Sequence, residues 1–366
     1  MAHDARDNNF NLVRLFGAVL VIYGHSYALT GHTSPGFAAT AVATIGVKIF
    51  FSISGYLVSL SWLSDPHLAR FFSRRLLRIC PALIILIVAT AFIVGPIVTQ
   101  SGLADYFEDP SVYAYLWNVT LYISYYLPGV FEHNVYAGAV NGSLWSLPAE
   151  FAMYILTPAI LTLLYFLPRS LALLAIASLL IAAYAASHAD HGGKQLVFYA
   201  TDVWVSMTLA PYFIAGMAIA AFGWSRTFNI YVGFALLFVL AVFDTSQLVK
   251  EAMLILILPY ACLSFASGRN ILPGLERLDI SYGLFLYGFL VQQIISSLFA
   301  SPLQPWTMFW AALLVTSVPA YFSWTLIEKP ALSWKPRSRQ SSAPVRSDAP
   351  AWPVAANAAP MSGESS

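Results

Sequence analysis

Ten apolar runs of about 17 to 25 residues, the length that crosses a bilayer as a helix, constrain this chain more than any other feature. They lie near 11–30, 39–62, 79–98, 145–167, 170–187, 204–222, 228–243, 251–267, 280–299 and 306–327. In hydrocarbon, backbone polar groups must be satisfied within the segment, so each run is predicted to be a transmembrane helix. The expected fold class is therefore all-α, a polytopic membrane protein of about ten helices. The run at 228–243 is short and several runs touch their neighbours, so the number is open by one or two. Pro158 and Pro211 fall inside runs, which membrane helices tolerate. Composition agrees: 59% of the 366 residues are hydrophobic and 10% charged, against roughly 25% charged in soluble domains. The net charge of +1 gives no basis for nucleic-acid binding.

Lys and Arg accumulate on the cytoplasmic side of membrane proteins. With the N-terminus inside, Arg6, Arg70, Arg74, Arg75, Arg78, Arg169, Arg226, Arg269, Arg277, Lys329, Lys335, Arg337, Arg339 and Arg346 fall inside, and Lys194 and Lys250 fall outside. Both termini are therefore expected in the cytoplasm. Residues 1–9 read as a cytoplasmic N-terminus, 10–334 as one membrane domain, and 335–366, rich in Ser, Pro and Ala, as a disordered cytoplasmic tail. The first run has no small-residue cleavage site soon after it, so it is read as a retained helix. The loop 99–142 is acidic and rich in Tyr, and its stretch 113–127 is expected in the interface or re-entering the membrane.

Ionisable residues at membrane depth point to function. Arg14, His25, Lys48 and Glu150 stand out. Eleven residues at 100° each return to within about 20° of the starting direction, so Arg14 and His25 share one face, about 16 Å apart along the axis. A polar path across much of the bilayer is one reading; snorkelling of Arg14 and a His25 satisfied by a backbone carbonyl is the other. Glu150 begins the fourth run on the side where His25 ends the first. The two are expected to meet, the carboxylate fixing the imidazole tautomer. Ser54 and Gly55 permit close helix approach or line a pathway. Arg70, Arg74, Arg75 and Arg78 form a basic segment dense enough to bind phosphates, although positive-inside bias or anionic lipid explains it equally. His188, Asp190 and His191 are a weak metal signal, so no metal is expected. Cys80 and Cys262 read as buried hydrophobes. Asn118 and Asn141 begin glycosylation sequons that are common by chance.

Six motifs in order resemble the acyltransferase-3 family of integral membrane O-acyltransferases. They are Arg14 with His25; Phe50-Phe51 with Ser54-Gly55-Tyr56; Arg74-Arg75 with Arg78-Ile79 and Pro81; Gly142-Ser143-Leu144-Trp145 with Glu150; Ile280-Ser281-Tyr282 with Leu286-Tyr287; and Ile327-Glu328-Lys329-Pro330. The resemblance implies a standalone domain in the bacterial cytoplasmic (inner) membrane. That domain would move an acyl group, usually acetyl, from cytoplasmic acyl-CoA (acetyl-CoA) to a hydroxyl of a glycan or lipid-linked saccharide on the far side. On this resemblance His25 is the base or a transient acyl carrier and Glu150 orients or protonates it. Arg14, Arg74, Arg75 and Arg78 receive the coenzyme A phosphates, while Lys48, Ser54, Tyr56, Ser143, Trp145 and Tyr282 line the substrate path. The chain departs from the family at Gly288, where many members carry His, and at Lys48, where many carry an acidic or neutral residue; against that resemblance the Lys48 ammonium would bind an acyl carboxylate or, preferably, form a salt bridge. Membrane lipids are expected partners, and homo-oligomerisation is left open. A non-enzymatic secondary transporter using the same Arg, His and Glu pathway is the competing reading.

Overall fold

The computed structural model describes residues 8–274 and 278–336. Arg6, Arg277 and the tail from 337 onward lie outside the described residues. Every predicted run is helical. We number the long helices α1 (Phe10–Ala28), α2 (Val42–Ser64), α3 (Leu68–Ala89), α4 (Ser146–Phe166), α5 (Arg169–His188), α6 (Ala210–Ala221), α7 (Ile230–Val242), α8 (Gln247–Ala266), α9 (Ser281–Ser297) and α10 (Pro305–Phe322). The β-structure described is two hairpins with strands of two residues each. Seven helices are long and apolar enough to cross a membrane among the described residues. The others are α1, diluted by Asn11, Arg14 and His25, the 17-residue α9, and the 13-residue α7.

The third helix starts earlier than its apolar run. From Leu68 it continues through a wide turn at Thr90–Val94 to Val98, 31 residues in all. That is about 46 Å, well beyond a hydrocarbon core of about 30 Å, so the basic first third is an overhang of a single rod. At the wide turn Tyr106 Oη donates to the Ala91 carbonyl at 2.8 Å, supplying a bond that the loosened ladder lacks. A second wide turn, Ser323–Glu328, extends α10 and turns Glu328 inward to 2% exposure.

Helix α2 is the axle of the bundle, packed against α1, α4, α6 and α8. Small residues let backbones touch, the usual device where no hydrophobic driving force separates protein from lipid. A Cβ on Gly46 would stand 2.5 Å from the Gly17 carbonyl oxygen of α1, and Gly24 abuts Ala43 in the same way. These contacts fix an antiparallel register between α1 and α2. On the periphery, α5 and α7 present Leu174, Ile181, Phe234 and Phe238 outward, each more than half exposed, as lipid-facing helices do.

The loop 99–142 is an ordered cap. Asn118 bonds the Tyr115 and Ser124 carbonyls and accepts from the Ser124 amide, which closes a turn around a fully buried side chain. Asn134 and Gln293 tie the cap to α9 at 2.8 Å, and Gln293 also holds the Tyr136 and Ala139 carbonyls. At the opposite end of the molecule, Asn9 is 2% exposed and stitched to the carbonyls of Phe265, Gly268 and Arg269 after α8.

Candidate active site

Two clusters lie at opposite ends of the polar face of α1. At the Arg14 end, Asp279 receives Arg78 Nη2 at 2.7 Å, Arg14 Nη1 at 3.5 Å and the Ser281 hydroxyl at 2.5 Å. One buried carboxylate thus ties α1, α3 and the start of α9 together. Arg78 also reaches Glu328 Oε2 at 3.6 Å, and Ser323 donates to Glu328 Oε1 at 3.0 Å. Tyr282 lies under the Arg78 guanidinium, 5.7 Å away, and donates to the Ile79 carbonyl.

A second carboxylate, Asp65 in the link between α2 and α3, takes Arg70 bidentately, at 2.5 and 2.9 Å, and Arg74 at 2.6 Å. The hydrogen-bonded Arg70, and after it Arg74, hold its carboxyl down to about 2. Four of the five arginines in this region are therefore committed to carboxylates. Arg75 is different. Among the described residues it makes no ion pair, its Nε is buried without a hydrogen-bond partner, and its guanidinium rests on Phe71 and Tyr154 at 5.3 and 5.9 Å. Beyond the last helix, exposed Lys335 joins this basic group, in the electrostatic neighbourhood of Arg78, Arg75, Arg14 and Arg74.

Glu150 belongs to this end. Its Oε1 accepts from Ser54 at 2.6 Å and from Tyr154 at 2.5 Å, and it lies in the electrostatic neighbourhood of Arg14 and Arg75. The expected meeting with His25 does not form, and the reason is depth. Asn141 anchors on the Leu286 carbonyl at 2.8 Å, so the chain enters the bundle with Gly142 and Ser143. Glu150, eight residues on, is about 12 Å further in. Along α2, Ser54 likewise lies about 12 Å beyond Gly46 toward the Arg14 end.

At the other end, His25 is half-buried, its Nδ1 is enclosed without a partner, and its ring meets the edge of Phe289 at 5.1 Å. A Cβ on Gly142 would stand 2.7 Å from the same Phe289 ring, so the Gly142-Ser143 peptide lies against it too. The Ser143 hydroxyl is buried and unpartnered. Trp145 is half-buried at the start of α4. Gly288 packs on Ile22, where a Cβ would be 2.9 Å away, leaving no place for a larger side chain.

Two expected path residues are elsewhere. Tyr56 sits 200° round α2 from Ser54 and stacks on Phe10 at 6.1 Å, in the core between α1 and the α6–α7 link. Lys48 is not in a salt bridge among the described residues. Its ammonium donates to Thr40 Oγ1 at 3.1 Å and lies 4.8 Å over the Tyr212 ring, pinning the first hairpin to α2 and α6. Asn118 and Asn141, the sequon asparagines, are buried and bonded. Among the described residues no group of His, Cys, Asp or Glu is arranged to hold a metal ion. An apolar cavity of about 740 Å³ between α1, α2, α7 and α8 is lined on α1 by Leu12, Val13, Phe16 and Leu20, the face opposite Arg14 and His25.

Charge inside an apolar run singles out neither Asp65 and Asp279, which lie at run ends, nor the uncharged Tyr154. Asp279 directly precedes Ile280-Ser281-Tyr282, and acids are scarce at the basic end, which is the signal that would have found both aspartates.

The family model described as an acyltransferase domain matches residues 7–328. The chain is 30% identical over 333 residues to an O-acetyl transferase of Shigella phage Sf6, covering 88% of this chain and 96% of that protein. It is 31% identical over 359 residues to nodulation protein 10 of Rhizobium leguminosarum bv. viciae, covering 89% and 93%. A shorter stretch of 147 residues, 38% of this chain and 27% of the relative, is 32% identical to regulator of hypoxia-inducible factor 1 from Caenorhabditis elegans. No solved structure matches the chain. With its model spanning nearly the whole membrane region, the chain belongs to the acyltransferase-3 family and is a multi-pass membrane acyltransferase.

Proposed function

We propose that this protein takes an acyl group, acetyl by its likeness to the phage O-acetyl transferase, from acyl-CoA at the Arg14 end and delivers it to a glycan hydroxyl at the His25 end. The basic Arg14 end faces the cytoplasm of a bacterial inner membrane. The observation that supports this reading is the distribution of unpaired buried polar atoms. Arg75 Nε has no hydrogen-bond partner at one end, and His25 Nδ1 and Ser143 Oγ have none at the other. Buried polar atoms without partners cost about 1–3 kcal/mol each, and such groups mark places where a ligand completes the pairing.

The donor's phosphates engage Arg75 first, since it has no carboxylate to leave, with Lys335 alongside. Glu150 holds Tyr154 and Ser54 in place under Arg75 and is a positioning group for the donor. At the far end, the His25 imidazole accepts the proton of the acceptor hydroxyl as that oxygen attacks the thioester carbonyl. The carbon–sulfur bond breaks, the acyl group passes to oxygen, and the coenzyme A thiolate regains the proton from the imidazolium. Arg14 and His25 are about 16 Å apart along α1, so the acyl end of the donor has to extend through the bundle while its phosphates remain at the basic mouth.

The test is transfer of radiolabel from acetyl-CoA to an envelope polysaccharide fraction by purified protein in nanodiscs. Wild type should label the polysaccharide. His25→Ala should abolish labelling, by at least 100-fold, with unchanged expression and elution from size exclusion. A wild type that neither transfers label nor binds coenzyme A would instead favour a transporter.

A further inference from the structure

Helix α9 carries two adjacent glutamines in an otherwise apolar stretch, both fully buried. Gln293 is consumed in holding the cap, as described above. Gln292 is not consumed. Its Nε2 donates to the Ile22 carbonyl at 2.9 Å and to Ser26 Oγ at 2.8 Å, the groups three residues before and one residue after His25. Of the two ends of the amide only the NH2 can donate to a carbonyl, so the bond to Ile22 fixes which way the amide is turned. Its Oε1 is therefore left facing the interior, and it has no partner.

Phe289 lies one helical turn from Gln292 on α9 and is the residue whose ring touches both the His25 imidazole and the Gly142-Ser143 peptide. The α1 helix and the turn before α4 thus meet on the Phe289 ring of α9, and each of the three leaves a buried polar atom unpaired: His25 Nδ1 from α1, Ser143 Oγ from the turn, and Gln292 Oε1 from α9. An amide oxygen seeking an O–H, a hydroxyl able to give or take a hydrogen bond, and an imidazole form a set that suits neighbouring hydroxyls on one molecule.

Resting on the functional reading above, we propose that Gln292 and Ser143 form a hydroxyl-recognition subsite for a polyhydroxylated, sugar-type acceptor, with Gln292 also acting as a positioning residue for the turn that carries His25. Gln292 Oε1 accepts from one acceptor hydroxyl, Ser143 Oγ engages a second, and the reacting hydroxyl is left to His25.

The experiment uses the full-length protein in nanodiscs, with radiolabelled acetyl-CoA and the same envelope polysaccharide fraction as probe. Gln292→Met keeps the bulk and removes the amide; Ser143→Ala removes a hydroxyl that bonds nothing and so carries little folding risk. Both should raise KM for the polysaccharide, or lower kcat/KM for it, by tenfold or more while moving KM for acetyl-CoA less than twofold. Gln292→Met should in addition shift the pH profile of kcat, since His25 loses its support. A merely structural Gln292 would lower the unfolding temperature and leave the kinetics of the folded fraction intact. That result, wild-type acceptor kinetics in both variants, or equal shifts in donor and acceptor KM would overturn the proposal. Inactive wild type would instead overturn the functional reading on which it rests.

Discussion

Arg75 and Arg78 are three residues apart on one helix, yet they answer to different constraints. Arg78 neutralises Asp279 and Glu328, which are 6% and 2% exposed. Arg78→Ala strands Glu328 and leaves Asp279 only its longer contact to Arg14, and should destabilise the protein by about 3–5 kcal/mol, read as a lowered unfolding temperature in detergent. Arg75→Ala strands nothing. It should raise KM for acetyl-CoA about tenfold or more while the unfolding temperature stays close to wild type. Asp65 supplies a pH signature at the same scale. Its carboxyl is held at about 2 in the folded protein against an ordinary value of about 4. Its stabilisation is therefore complete above the ordinary carboxylate range and is lost as pH falls toward 2. Unfolding of Asp65→Asn in detergent should be less sensitive than wild type to acidification over that window. Arg14 and His25 were legible in the sequence because charge inside an apolar run is conspicuous. Asp65 and Asp279 were not, because they sit at run ends, outside the apolar stretches, where only the scarcity of acids among the arginines marks them. Gln292 was not, because it carries no charge for such a search to find.

The ten helical segments were legible as elements because hydrocarbon leaves a twenty-residue apolar run one economical structure. What hydropathy missed was the start of α3, since a helix continuing into water keeps its hydrogen bonds while losing its apolarity. It also missed depth. Glu150 was placed by its distance from a run boundary, whereas Asn141 fixes where the chain enters the bundle, and that anchor is a side-chain bond to another helix. Tyr56 could have been placed by periodicity alone, because it and Ser54 cannot share a face of α2. The α1–α2 contact gives the prediction at this scale. Gly46→Val brings a branched side chain where even a Cβ stands 2.5 Å from the Gly17 carbonyl. It should separate the two helices that bear Arg14, His25 and Ser54, and abolish transfer in protein that still inserts into membranes.

At the scale of the whole molecule, the two ends differ in kind. One gathers arginines around carboxylates; the other is closed by a cap whose polar groups are mostly amides and hydroxyls. The proposed orientation follows from that difference and is directly measurable. In a background with Cys80 and Cys262 replaced by Ser, a Cys at His133, exposed on the cap, should react with a membrane-impermeant maleimide in cells whose outer barrier has been permeabilised. A Cys at Trp334, 77% exposed beyond α10, should react only after the inner membrane is opened. The reverse pattern would turn the molecule over and with it the assignment of donor and acceptor ends.

Asp279 gives the basic mouth a further property under the proposed function. The same guanidiniums that suit an incoming phosphate are already occupied by an internal anion, so Arg14 and Arg78 can join Arg75 on the donor only by exchanging one negative partner for another. Binding is then a swap whose net yield is small, and the departing coenzyme is chased from its seat by a competitor that never leaves. Such a seat favours turnover over retention, because it resets itself after each cycle.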